Sequence, residues 1–516
     1  MKKLKFTLLL SLCVILIQAQ NTAYLKVANN GYFEKIEKVS SGGYITTGFD
    51  STYKVQIIRW DNSFNMTWKY VFNDANIKIG SPKIVEANDG SFYFLMGSHE
   101  YTASTWIVKF SSAGALLWQK IYYLTSGNVN SIALSKALPG DNGFLIGGGQ
   151  NPLSNFIIKC AADGSIEWQN QYLYPLSTGG ITCYSIIADV SEYVVSSSYN
   201  INSLLTIKIS ATGSINSHSA YTYTAMQIIP TRIVKLNTTG GYAILGGYNS
   251  SNNNKTEFVA IYNQALSLQS FNELTVIYDQ FILHDIKAIN NGKNVIVDGS
   301  IYDNSAFTIA MINLSNSGSV VWKKRAYGNT ATTNKNVEFR GLTENGSTTV
   351  HVGMGFNEGR VIAVIDSNGS GLCNDDMAFN MTNVHPSLVL QSQTMSLATV
   401  NALKADVTYA YSNYASYNKQ IYCGSLLAID NNTVSLPLVS SIYPNPATDI
   451  VNLNIENPNN TKLIVNIYSV IGKLIRTEVL EQNQSRINVE YLKNGIYMLE
   501  IKSDERRITQ KLMINK

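Results

Sequence analysis

Apolar runs of about five residues recur along the chain, each opened by a glycine turn and closed by glycine. Gly42-Gly43-Tyr44-Ile45-Thr46-Thr47-Gly48, Gly143-Phe144-Leu145-Ile146-Gly147-Gly148 and Gly240-Gly241-Tyr242-Ala243-Ile244-Leu245-Gly246-Gly247 share this form. Weaker copies end at Gly97, Ser197, Gly299 and Gly353, so the series steps by 49, 50, 50, 49, 53 and 54 residues. A second series keeps the phase: Trp68, Trp118 and Trp168 lie 50 apart and Trp322 follows 154 later. Self-similarity at a fixed period of this size marks stacked repeats. Between the two series each copy holds another apolar run, such as Phe156-Ile157-Ile158-Lys159, then a turn such as Ser111-Ser112-Ala113-Gly114, where glycine supplies the positive φ that a hairpin needs. With a lead-in strand such as 131–138, each copy has four strands. The runs are apolar at consecutive positions, as expected of strands covered on both faces.

This pattern predicts an all-β chain whose residues 20–382 form a seven-bladed β-propeller, preferred over a solenoid. The seventh copy runs through Val361-Ile362-Ala363-Val364-Ile365-Asp366 and lacks a tryptophan strand, while Thr22-Ala23-Tyr24-Leu25-Lys26-Val27 stands in that phase with no blade before it. Residues 21–27 are therefore expected to complete blade seven and remove two open edges. From 383 to 440 the pattern breaks into Ser, Thr, Tyr and Asn, read as a linker or a small strand pair. From 441 to 516 short alternating strands return, read as a small Ig-like β-sandwich.

Composition narrows the function. Charged residues make up 14 % of the 516, against about 25 % in ordinary domains, and a net charge of +4 without a basic stripe argues against nucleic acid as a partner. Met1-Lys2-Lys3-Leu4-Lys5, the apolar run Phe6–Ile17 and Gln18-Ala19-Gln20 have the layout of a secretory signal over residues 1–19. No later run is long enough for a transmembrane segment. Outside the signal, Cys160, Cys183, Cys373 and Cys423 allow three disulfide connectivities, with chain order favouring Cys160–Cys183 and Cys373–Cys423, and four buried thiols as the alternative.

Local phrases of the repeat resemble known propellers: Asp163-Gly164-Ser165-Ile166-Glu167-Trp168 is similar to the turn-tryptophan element of quinoprotein repeats, and the double glycine before tyrosine is similar to kelch. The tail carries a more specific likeness. Tyr443, Pro444, Asn445, Pro446 and Asp449, then Gly472 and Lys473, then Gly495 and Tyr497, and Lys511 with Leu512, resemble the type A C-terminal sorting domain of the type IX secretion system of Bacteroidota. The resemblance implies Sec export, recognition by the type IX machinery at the outer membrane, and a cargo that ends on the cell surface or is released.

No catalytic residue is assigned. His99, His218, His284, His351 and His385 show no metal-binding or metalloprotease spacing, and no nucleophile elbow, phosphate loop or zinc motif is present, so no metal and no cofactor are expected. Asp366-Ser367-Asn368-Gly369-Ser370-Gly371 resembles a calcium loop but has Met377 where the bidentate glutamate belongs, which favours a plain turn. The tryptophans are read as blade packing before sugar platforms. The reading is thus an exported, non-catalytic binding or adhesion module for an extracellular glycan, polymer or surface protein. The alternative is a secreted enzyme, polysaccharide lyase-like or quinone-dependent oxidoreductase-like, with residues converging from several blades. A structural part of a surface layer is a third class.

Overall fold

In the computed structural model the described residues are 23–28, 31–72, 82–99, 104–124, 129–150, 154–173, 181–199, 202–222, 227–236, 240–249, 256–276, 280–303, 306–326, 337–346, 348–355, 359–370, 381–384, 389–391, 396–399, 402–406, 411–413, 420–424, 440–455, 463–469, 474–480, 486–503 and 506–516. The predicted signal segment, residues 1–19, lies outside them. The chain divides into two units, residues 1–427 and 428–516.

Among the described residues of the first unit there are seven antiparallel sheets in chain order. Six are built from four consecutive strands; the first, for example, comprises Tyr32–Lys38, Tyr44–Phe49, Val55–Trp60 and Met66–Phe72. The seventh has Val337–Asn345, Thr348–Gly355 and Gly359–Asp366, and its fourth strand is Ala23–Ala28 from the other end of the unit. Ala23 stands opposite Val364 and Leu25 opposite Ile362.

A separate apolar cluster fills each gap between neighbouring sheets. Phe72, Phe94 and Phe110 join the first two sheets, and Phe33, Trp60, Val350 and Ile362 join the seventh back to the first. The sheets therefore close on themselves in a propeller-like ring, and the first strand of each lies against the first strand of the next. This explains the consecutive apolar runs: Val55–Trp60, Ser104–Phe110 and Gly359–Asp366 are buried at every position, because both faces meet a neighbour.

The tryptophan period has a mechanical cause. Seven like turns join the third strand to the fourth, or to the end of the repeat. Each is closed by an N–H to C=O bond, from Phe64 to Asp61, Gly114 to Ser111, Gly164 to Ala161, Gly213 to Ser210, Leu266 to Asn263, Gly318 to Ser315 and Gly369 to Asp366. The fourth strand of one sheet grips this turn on the next. Trp168 Nε1 donates to Ala211 O at 2.9 Å and Tyr172 Oη to Gly213 O at 2.8 Å; Trp322 Nε1 donates to Ser367 O at 2.8 Å, and Tyr70 Oη to Gly114 O at 2.7 Å.

The stretch expected as a linker or strand pair is, through residue 424, something else. Met381–Val384, Val389–Gln391, Ser396–Thr399, Ala402–Asp406 and Tyr411–Asn413 pair with the outer strands of sheets five, four, three, two and one, in that order. Gln420–Gly424 then pairs with Ala23–Ala28. The segment runs backwards around the ring and supplies a fifth strand to six of the seven sheets. Among the described residues only Val320–Ala326 of sheet six keeps an uncovered outer edge. Covering an edge satisfies its N–H and C=O groups and blocks pairing with other chains.

In the second unit Ser440–Tyr443, Ile450–Ile455 and Arg486–Asn488 form one sheet, and Leu463–Ser469, Leu474–Leu480, Gly495–Ser503 and Arg506–Ile514 another. Val451, Leu453, Val465, Ile467, Leu499 and Leu512 lie between them as its core.

Candidate functional site

The first strands of sheets one to six line a cavity of about 640 Å³ on the ring axis. Five first strands of the ring carry a bulge in the same place, and the residues directly after it are Lys35, Ser185, Arg232, Asp285 and Gly341. A bulge turns the side chains beyond it relative to the regular pleat, and Lys35, Ser185, Arg232 and Asp285 all reach the cavity. Apolar positions such as Val85, Ile187 and Val234 complete the wall, and no aromatic side chain among the described residues lines it.

The lining is strongly basic. Lys35, Lys38, Lys83, Lys136, Arg232, Lys235 and Lys287 make a set of seven cations, facing three carboxylates, Glu37, Glu86 and Asp285, while Asp189 outside the lining pairs with Lys235. With Asp189 counted, the local excess is three positive charges. Each lining carboxylate is engaged. Asp285 Oδ2 is 3.2 Å from Lys35 Nζ and its Oδ1 is 3.1 Å from Arg232 Nε, Glu37 Oε2 is 2.8 Å from Lys287 Nζ, and Glu86 accepts from Ser40 N and Oγ. Lys35 Nζ also donates to Arg340 O at 3.1 Å. Lys83 Nζ donates to Ile132 O at 2.5 Å, and no carboxylate pairs with it among the described residues.

These contacts shift protons in a defined direction. Burial would raise the Asp285 carboxyl, but Lys35 and Arg232 outweigh it and bring it down to about 2. Burial, then repulsion from Arg232, lowers Lys35; burial, then Arg232 and Lys35, pushes Lys83 down to about 7. A carboxylate with a depressed pKa adds stability that is complete above its unfolded value, near 4, and is lost as pH falls toward its folded value. Wild type is therefore expected to lose about 2 kcal/mol between pH 4 and pH 2 through this group alone. Asp285→Asn should start about 3 kcal/mol less stable at neutral pH, with Lys35 and Arg232 uncompensated, and should lack that step. Urea unfolding of both chains at several pH values reads the difference, and parallel profiles would contradict the assignment.

Other residues singled out in the sequence fall elsewhere. Cys160 and Cys183 are unbridged, buried thiols, and the expected pair does not form. The physical reason is placement: Cys160 packs between sheets two and three, Cys183 between three and four. Cys373 lies outside the described residues; Cys423 is within Gln420–Gly424. His351 Nδ1 is 2.9 Å from Asp298 Oδ2 and its Nε2 is 2.8 Å from Thr349 Oγ1, a relay-like chain, but His351 and Asp298 are fully buried between sheets six and seven, with no room for a substrate. Asp366 Oδ1 accepts from Asn368 N and Ser370 N, both at 2.8 Å, so that carboxylate closes its turn. No group of metal-binding side chains occurs among the described residues.

In the tail, the sequence-selected residues sit on one seam. Tyr443 is exposed and ends the first strand. The Tyr443–Pro444 and Asn445–Pro446 bonds are cis. Asn445 clamps the last strand, donating Nδ2 to Lys511 O and accepting from Met513 N, both at 2.7 Å. Asp449 O accepts from Val489 N at 2.7 Å. Gly495 opens its strand and Tyr497 packs against the core, its hydroxyl donating to Lys493 O at 2.9 Å. Gly472 and Lys473 lie outside the described residues. The shared motif thus joins the opening turn to the final strand.

The family described as secretion system C-terminal sorting domain matches residues 441–515. The tail therefore supports delivery of this chain by type IX secretion, to the cell surface or the medium, with the secretion machinery as a partner. No helix among the described residues is long and apolar enough to cross a membrane. None of the curated proteins matches the chain. Among solved structures, Raptor from Chaetomium thermophilum is similar at 9 % identity over 68 % of this chain and 29 % of that one, with a TM-score of 0.46. Sqt1 from the same organism is similar at 10 % identity over 68 % of this chain and 99 % of that one, TM-score 0.39. Apo AztD from Citrobacter koseri is similar at 12 % identity over 71 % and 99 %, TM-score 0.36.

Proposed function

We propose that this chain is a secreted or surface-displayed binding protein: a signal over 1–19, a seven-bladed β-propeller from residue 20 on, and an Ig-like sorting sandwich over 441–516. Its ligand is acidic and enters the axial cavity, as a free acid or as part of an extracellular glycan, polymer or surface protein. The observation that carries this reading is the cavity lining, where seven cations face three carboxylates inside a chain of low overall charge. Among the described residues that lining holds no aromatic ring, which favours charge recognition over stacking on neutral sugars.

One feature favours the enzyme alternative. An amine at about 7, as Lys83 has, is a competent base near neutral pH. The test is a titration of the whole purified chain against acidic and neutral oligosaccharides, with bound ligands assayed for turnover. Saturable binding of acidic members, weakening as salt rises, supports the binding module. Turnover would move the assignment to an enzyme, and preference for neutral sugars would overturn it.

A further inference from the structure

Resting on that reading, we propose that the axial cavity holds a subsite for a doubly charged oxyanion ligand, formed by Lys35, Lys83 and Arg232. Four observations combine. The three cations converge there with a single carboxylate, Asp285, which is already shared between Lys35 and Arg232 at 3.2 and 3.1 Å. With Lys83 protonated, the group therefore carries two positive charges in excess. Lys83 has a backbone carbonyl as its acceptor and no carboxylate among the described residues, so no anion of the lining compensates its ammonium. The other lining carboxylates, Glu37 and Glu86, are tied to Lys287 and Ser40. Finally, the site is sheltered: Lys35 is 10 % exposed and Asp285 4 %, so a charge-assisted bond there is weakly screened.

Two negative charges satisfy this arrangement, and one does not. The aliphatic wall formed by Val85, Ile187 and Val234 accommodates a short carbon body behind the charges, and a volume of about 640 Å³ is in the range of ligand sites. A dicarboxylate or the sulfate or phosphate group of a small organic acid shares the required chemistry. Binding should also draw in a proton. Lys83 is partly neutral near pH 7, and a dianion beside it restores the ammonium.

Calorimetric titration of the full chain with succinate, inorganic sulfate, acetate and glucose tests this. Succinate and sulfate should compete for one site, acetate should bind about tenfold more weakly or worse, and glucose should not bind. Succinate binding tighter than sulfate would place the charges on a carbon body; sulfate equal to succinate would place them on a single oxyanion, and either supports the dianion subsite. Lys83→Met and Arg232→Met should each weaken succinate about tenfold, while Lys83→Arg keeps it and Lys38→Met at the rim changes it little. At pH 8, heats measured in two buffers of different ionisation enthalpy should show proton uptake in wild type and none in Lys83→Met. A cooperative unfolding transition above the assay temperature establishes that these variants fold. Equal affinity for acetate and succinate, or full succinate binding by Lys83→Met and Arg232→Met, would overturn the subsite. Binding of acidic oligosaccharides without any response to succinate or sulfate would overturn the subsite and leave the binding reading standing; no binding of any acidic ligand would overturn both.

Discussion

A chain lacking residues 23–28 is expected to lose the cooperative thermal transition of the first unit. The strand Ala23–Ala28 is interior to its sheet: Gly359–Asp366 pairs along one edge and Gln420–Gly424 along the other. Its removal opens two ladders at once, uncovers the fully buried strand Gly359–Asp366, and breaks the covalent crossing from sheet seven to sheet one at the start of the ring. Each backbone bond contributes roughly 1 kcal/mol net, and the buried N–H and C=O groups left behind cost more. A milder form is Leu25→Pro. Because both edges of the strand are paired, the lost N–H removes a ladder bond whichever way it points, at a cost of about 3 kcal/mol or more. Circular dichroism and calorimetry of both chains check this. An unchanged midpoint in the deletion would mean that sheet seven does not need its fourth strand.

The second large effect is expected at the glycine turns. Gly114 has φ +89°, and a Cβ there would stand 2.6 Å from the Trp68 ring of the preceding sheet. Gly114→Ala therefore combines left-handed strain with displacement of a packed indole, and the Tyr70 hydroxyl bond to Gly114 O moves with it. A loss of about 3 kcal/mol is expected from the two terms together. Gly140→Ala is the matched control, since Gly140 has φ +87° but nothing within 4 Å of the added carbon. It should cost about 1 kcal/mol from backbone strain alone. Denaturant midpoints measured side by side separate the two, and equal losses would show that the tryptophan contact contributes nothing.

Much of this frame was legible because it is written in side-chain type. The period near fifty is the distance between one tryptophan and the next, and each tryptophan needs a turn to grip on the neighbouring sheet. Even so, glycine is a partial marker of these turns: Phe64 and Leu266 occupy two of them at φ +59° and +62°. Phe64 stacks on Tyr44 with ring centroids 4.8 Å apart, which offsets the strain that glycine avoids elsewhere. A search for glycine alone passes over both.

The encircling strands of 381–424 left no comparable trace. They are three to five residues long, as in Tyr411-Ser412-Asn413, and they attach through backbone bonds that place no demand on residue type. The cavity was hidden for a different reason. Lys35, Lys83, Arg232 and Asp285 are about fifty or more residues apart and belong to different repeats, and the bulges that aim most of them inward are shifts of backbone register with no fixed side-chain signature. Cysteine order misled because neighbours in sequence fall into different gaps between sheets.

The proposed role of this exported ring is to hold an acidic ligand on its axis. Titration of the full purified chain against acidic and neutral oligosaccharides, at low and physiological salt, addresses it most directly. The account predicts saturable binding confined to the acidic members, weakened by added salt. Binding of neutral sugars with no dependence on salt, or equal binding by a chain whose cavity lysines are neutralised, would contradict it.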